Sequence, residues 1–285
     1  MPQHFVAPPQ WEWYIVWYFF LGGLAGGAYA LGAILRALGD RRDASLARLA
    51  FLVTLPALAI CPILLTLDLG RPSRFWHMLV DSRTFGLTFK YWSPMSVGAW
   101  VLVIFSAFAF VSFLEALLGE ERFRLLRGAF GRLFTIVGAF FGLFLAGYTG
   151  VLLSVSNQPI WSDTWTVGGL FLASGLSVAA AVLVLLAWLS SPGSSTGAKL
   201  SRAHRYFILL ELALLLVFFV SLGAVGARFL EPRWLVLWGL VLLGTLVPLA
   251  LRRSEHRGAS PVLASCLVLV GALALRIVVI FGAQM

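Results

Sequence analysis

The sequence predicts an all-α, polytopic membrane protein, with about eight transmembrane helices set as two four-helix bundles and the N and C termini outside. Three observations carry this expectation. Of the 285 residues 60% are hydrophobic and only 12% charged, whereas a soluble domain carries about twice that charged fraction. Apolar runs long enough to cross a bilayer recur along the whole chain. Basic residues gather in alternate turns between those runs, the pattern that fixes membrane orientation.

The runs fall near 14–37, 47–68, 95–118, 131–154, 167–190, 205–227, 233–251 and 261–282. Each is close to the 20 or so apolar residues that span a bilayer as a helix. Gly, Pro and polar residues punctuate them, as at Gly39-Asp40, Gly119-Glu120-Glu121 and Ser191–Gly197. The last is the one linker-like stretch. It divides the chain into 1–190, spans 1–5 with a long 69–94 loop, and 191–285, the linker with spans 6–8. Met1–Gln10 holds no basic residue, so the first span is expected to be permanent and not a cleaved signal.

Fourteen basic residues lie on one side: Arg36, Arg41, Arg42, Arg48, Arg122, Arg124, Arg127, Arg132, Lys199, Arg202, Arg205, Arg252, Arg253 and Arg257. Six lie on the other: Arg71, Arg74, Arg83, Lys90, Arg228 and Arg233. The richer side is the cytoplasmic one by the positive-inside rule. The formal charge of +9 thus reads as topology signal and lipid contact in a prokaryotic cytoplasmic membrane, not as a nucleic-acid surface. The 69–94 loop departs from the bias. It carries four of the six outer basic residues and the interfacial aromatics Phe75, Trp76, Phe89, Tyr91 and Trp92, and a short interfacial helix is expected in it.

Cys61 and Cys266 stand alone in apolar runs, without the spacing of an iron–sulfur or zinc site. No histidine falls in mid-span, where a membrane haem would need an axial pair. His204 and His256 fall at the inner surface and His4 and His77 outside. The glycines Gly22, Gly23, Gly26 and Gly27 lack the strand–turn–helix context of a nucleotide loop and suit close helix packing.

Asp68 ends span 2, where its charge opposes the helix dipole and sits at a bilayer edge. The topology brings Tyr18, Tyr148, the Ser156-Asn157-Gln158 loop and Trp11 to the same outer level. A quinone headgroup needs hydrogen-bonding groups at its carbonyls, a flat apolar slot, lipid access for its tail and an ionisable group connected to water. Asp68 and Tyr148 are the candidate catalytic residues. Tyr18, Tyr148, Asn157, Trp11, Arg71 and Arg74 are the candidate quinone-binding set. The tyrosines also suit an aromatic belt, Asn157 an ordinary turn, and Asp68 an ion pair with Arg71 or Arg74. Glu115, Glu211 and Arg276 are charged residues within spans, and with Asp68 they suit a proton path. Interfacial snorkelling also suits Glu115.

Gly23-Leu24-Ala25-Gly26-Gly27, Asp68-Leu69-Gly70-Arg71-Pro72, Ser93-Pro94-Met95-Ser96-Val97-Gly98-Ala99-Trp100, Gly147-Tyr148-Thr149-Gly150, Pro159-Ile160-Trp161, Leu275-Arg276 and Gly282-Ala283-Gln284 together resemble the NrfD-like integral membrane subunits of the polysulfide reductase type. The resemblance implies a haem-free, quinone-reactive anchor that exchanges electrons with an iron–sulfur subunit. That subunit is often attached to a molybdopterin catalytic subunit and, in this branch, docks on the outer face. It implies quinone (menaquinone or ubiquinone) as the only cofactor, with no haem and no iron–sulfur cluster in this chain. By similarity Tyr148 falls at a quinone-site tyrosine, Asp68 at an acidic residue near the site, and Tyr18 where the branch has a quinone-bonding histidine. Two other classes remain on the residues alone: a small-molecule or proton/ion transporter, and a structural membrane anchor without a quinone site.

Overall fold

A computed structural model describes residues 9–119, 126, 128–190, 195–253 and 261–284. Eight helices long and apolar enough to span a membrane follow one another: α1 (Trp13–Leu38), α2 (Ala44–Asp68), α3 (Pro94–Leu118), α4 (Gly128–Ser154), α5 (Val167–Ser190), α6 (Ser195–Leu222), α7 (Pro232–Arg253) and α8 (Pro261–Gly282). The described residues contain no β-strand, only an isolated antiparallel bridge between Val80 and Leu87. This is the expected all-helical, membrane-spanning class.

Local chemistry sets the helix ends. Ser93 caps α3 by accepting the Ser96 amide at 3.4 Å, with Pro94 at the first helical position, where a missing N–H costs nothing. Gly119 stops α3 at φ +86°, a left-handed conformation that glycine adopts without Cβ strain. Pro56 and Pro62 lie inside α2 and withdraw two N–H groups from its ladder. The 69–94 loop holds a 3-10 helix, Pro72–Met78.

The sixth span differs from expectation at both ends: its α-helix stops at Leu222, five residues short of the apolar run, where Gly223 at φ +53° opens a 3-10 segment, Gly223–Leu230. α6 begins at Ser195, ten residues before the apolar run, so 195–197 of the expected linker is helical. Hydropathy marks where a helix enters lipid, not where it starts, and the extra turns are polar ones that include Lys199 and His204. Residues 191–194, Glu120, Glu121, Arg122, Arg124, Arg127, His4, His256 and Arg257 lie outside the described residues. His204, expected at the inner surface, is fully buried.

Consecutive helices pack on one another, α4 returns to α1, and α8 returns to α5. α1 and α5 are the most buried, and α1 touches α2, α4, α5 and α8. Glycine permits this. A Cβ on Gly27 would lie 2.7 Å from the Gly175 carbonyl oxygen, and one on Gly26 would overlap Gly142, so α1 meets α4 and α5 at backbone distance.

At the arginine-rich end, Arg36 grips the buried Glu115 through two hydrogen bonds, one of 2.6 Å, and donates to the Leu126 carbonyl at 2.8 Å. Glu115 is therefore part of a buried pair joining α1 to α3 and does not snorkel. Lys199 of α6 reaches Asp40 at 2.7 Å and the buried Asp43 at 3.0 Å, tying the α1–α2 turn to the second half.

Candidate functional site

At the opposite end, α1, α2, α3 and α4 enclose a cavity of about 300 Å³. Four residues singled out from the sequence line it: Trp11, Tyr18, Asp68 and Tyr148. The rest of its wall is largely apolar, including Pro62, Leu65, Met95, Gly98, Leu102 and Val103. Pro62 and Val103 are exposed on the outside of their helices. They lie about 9 Å from the end of α2 and about 14 Å from the start of α3 at 1.5 Å per residue. The cavity therefore opens between α2 and α3 on a surface that meets hydrocarbon in a bilayer.

Tyr18 faces this cavity from α1 and is 2% exposed. Its hydroxyl has no hydrogen-bond partner among the described residues. A buried phenol normally finds one, so this donor is free for a ligand. Tyr148 differs. Its hydroxyl donates to the Pro94 carbonyl at the start of α3, leaving only acceptor capacity. Its ring lies where a Cβ on Gly98 would be, so the glycine makes room for the phenol.

Asp68 is half-buried at the cavity edge. No ion pair joins it to Arg71 or Arg74 among the described residues. The backbone N–H of Glu12 is directed at its carboxylate. Glu12 is the N-cap of α1 and makes no side-chain cap of its own. The charge that opposes the dipole of α2 thus sits at the positive end of α1. The two effects, each about 0.3–1 kcal/mol, offset one another.

Trp11 is stacked on Trp161, with ring centroids 5.0 Å apart, and the Trp161 indole donates to the Val279 carbonyl at 2.7 Å. Arg71, Arg74 and Asn157 are exposed and do not line the cavity. They lie in the loops above it, beside the exposed aromatics Phe85, Phe89, Tyr91, Trp92 and Trp165. Sequence reasoning gave no role to Gly98 or Gln284. Both fall inside the motifs that carry the family resemblance, but glycine has no functional group and the amide of Gln284 bonds the Trp11 backbone 273 residues away, which hydropathy does not reveal.

A second polar group lies deeper. Arg276 of α8 is fully buried about 9 Å from the end of its helix. It donates to Ser174 at 3.1 Å and to the Ala272 carbonyl at 2.8 Å, and lies over the rings of Phe20 and Phe171. Glu211 of α6 is buried facing Arg276, Ser174 and Ser177. Arg276 Nε and Nη2 and the Ser177 hydroxyl have no partner among the described residues. No group of three or more His, Cys, Asp or Glu side chains converges as a metal site among the described residues.

Helix, cavity and burial together define a multi-pass, all-helical membrane protein with a ligand-sized cleft at one end of its first four helices. The family model for "Polysulphide reductase, NrfD" matches residues 2–285, and the chain belongs to that family. It is 29% identical to Protein NrfD of Escherichia coli, covering 96% of this chain and 95% of that one. It is 27% identical to the C subunit of polysulfide reductase from Wolinella succinogenes, covering 96% and 94%. The same identity relates it to the Protein NrfD homolog of Haemophilus influenzae, again over 96% and 94%. Family membership and eight apolar helices make it a bacterial multi-pass membrane protein, and they support a membrane subunit of a respiratory oxidoreductase.

Proposed function

We propose that the chain is the quinone/quinol-reactive subunit of a respiratory oxidoreductase, and that the cleft binds the quinone headgroup. The observation that carries this is the buried side chain of Tyr18, whose hydroxyl has no hydrogen-bond partner among the described residues, facing a mostly apolar cleft that opens toward lipid. The residues fit the ligand: an apolar slot, a free donor, a carboxylate at the rim and an exit for a prenyl tail. Menaquinone and ubiquinone both meet these terms. When bound, the quinone supplies two-electron, two-proton redox chemistry. Tyr18 donates to one carbonyl and fixes the ring. Tyr148 offers its lone pair to the hydroxyl of the reduced form while its own O–H goes on donating to the Pro94 carbonyl. Asp68 passes both protons in turn between the ring oxygens and water, which its exposed face reaches.

Electrons exchanged with the quinone need a partner to supply or receive them. We assign that role to an iron–sulfur subunit, with a molybdopterin subunit beyond it. The Wolinella relative is named as one lettered component of polysulfide reductase, which supports a multi-subunit assembly. The 69–94 and 155–166 loops would form the docking face. Arg71, Arg74 and Asn157 lie there, and their exposure suits partner contact better than quinone contact. The basic-residue count supports an orientation with this face outside. In this assignment residues 1–190 house the cleft and 191–285 brace it.

The test is quinol turnover and analogue binding in the purified complex. Tyr18→Phe is expected to raise the dissociation constant about tenfold, the value of a lost hydrogen bond to a ligand. Asp68→Asn is expected to lower kcat by about 100-fold, the scale of general acid–base catalysis. Unchanged binding and turnover in both would leave the structural anchor as the better reading. Saturable uptake of a small molecule or ion by vesicles holding this chain alone would favour a transporter.

A second role rests on the deeper polar group. The unpartnered Nε and Nη2 of Arg276, near Glu211, are of the kind that internal water satisfies. They support a hydrated proton route through α5, α6 and α8, measured as protons taken up per electron in reconstituted complex.

A further inference from the structure

The cleft wall at Trp11 is held by residues remote in sequence. The Trp11 N–H donates to Gln284 Oε1 at 2.7 Å, and Gln284 Nε2 donates back to the Trp11 carbonyl at 3.2 Å. One amide side chain thus closes both hydrogen-bonding groups of one backbone residue, as a strand partner would. Gln158 adds a bond from its side-chain amide to the Ala283 carbonyl. The Trp161 indole, on which Trp11 stacks, is pinned to α8 through Val279. Asp68 interacts electrostatically with the N–H of Glu12 in the same segment.

We infer that Gln284 is a positioning residue of the cleft. It touches no ligand, but it fixes the indole of Trp11 as the wall against which the quinone ring packs. The inference rests on the quinone reading. Residues 9–12 precede α1 and have no helical ladder of their own, so side-chain bonds must set their position. Without Gln284 the Trp11 backbone loses both of these hydrogen bonds, and the wall has alternative positions. A ligand then meets a competent cleft only part of the time, which lowers apparent affinity without changing chemistry once bound.

The experiment is steady-state oxidation of reduced 2,3-dimethyl-1,4-naphthoquinone by the purified complex with a dye acceptor, comparing wild type, Gln284→Ala and Gln158→Ala, with Tyr18→Phe in parallel. Gln284→Ala is expected to raise KM about tenfold with kcat within about twofold, and Gln158→Ala to raise it about threefold, in proportion to the bonds removed. A merely structural role would reduce the yield of folded complex and leave KM unchanged per folded molecule. If Gln284→Ala yields no folded complex, Gln158→Ala decides. Unchanged KM in the folded variants, with Tyr18→Phe still impaired, overturns the positioning role and leaves the cleft intact. Absence of saturable turnover in wild type, or none lost in Tyr18→Phe, overturns the quinone reading and this inference with it.

Discussion

Two phenols in one cleft differ in what their hydroxyls already hold, and this decides what each can do. Tyr148 commits its proton to the Pro94 carbonyl, while the proton of Tyr18 is committed to nothing among the described residues. Tyr148→Phe is therefore expected to cost about 1 kcal/mol of stability through the freed start of α3, read as a lower thermal midpoint in detergent. Its effect on analogue affinity should be smaller than that of Tyr18→Phe; the reverse order would exchange their roles. The sequence made both residues candidates, because polar groups at one membrane depth are visible once the spans are numbered. It did not reveal the division of labour, because a hydroxyl's partner here is a backbone carbonyl 54 residues away, and carbonyls leave no trace in composition. Asp68 shows the same limit. Arg71 and Arg74 were the partners visible in the sequence, whereas the group that acts electrostatically on the carboxylate is a backbone N–H at the mouth of α1.

At the scale of the element, glycine does two jobs that look alike in the sequence. In α1, Gly26 and Gly27 admit neighbouring backbones, the packing role expected from their spacing. In α3, Gly98 admits the ring of Tyr148 and also lines the cleft. A side chain there must displace the phenol. Gly98→Ala is expected to destabilise by about 1–3 kcal/mol, the cost of overpacking a filled site, and to weaken analogue binding in the same protein. Wild-type affinity in a folded Gly98→Ala variant would show that the ring is free to move. The spans other than α6 were legible to within about three residues, since twenty or so apolar positions in a row admit few other structures. The start of α6 was not, because its first turns are polar.

Across the whole molecule, the buried charges divide by whether their partner lies close. Glu115 is saturated by Arg36 and is spoken for as structure. Glu211 faces Arg276 across Ser174, and no ion pair joins them at contact distance among the described residues. Glu211→Gln is expected to lower the proton-to-electron ratio of reconstituted complex while turnover in detergent stays within about twofold, since the cleft lies elsewhere and distant sites are nearly independent. An unchanged ratio would remove Glu211 from any proton route. Sequence reasoning singled out all three charges, because ionisable residues in apolar runs are conspicuous. Which of them were neutralised depended on how α1, α3, α5, α6 and α8 pack, and hydropathy carries no information on neighbours.

The bond between Trp11 and Gln284 joins residues 273 positions apart. At about 5–20 residues per second, a ribosome needs roughly 14–55 s to make the second after the first. During that interval the glycine faces of α1 can already receive α4 and α5, while Trp11 still lacks its partner at Gln284. The wall at Trp11 is thus set only once the segment following α8 has been made.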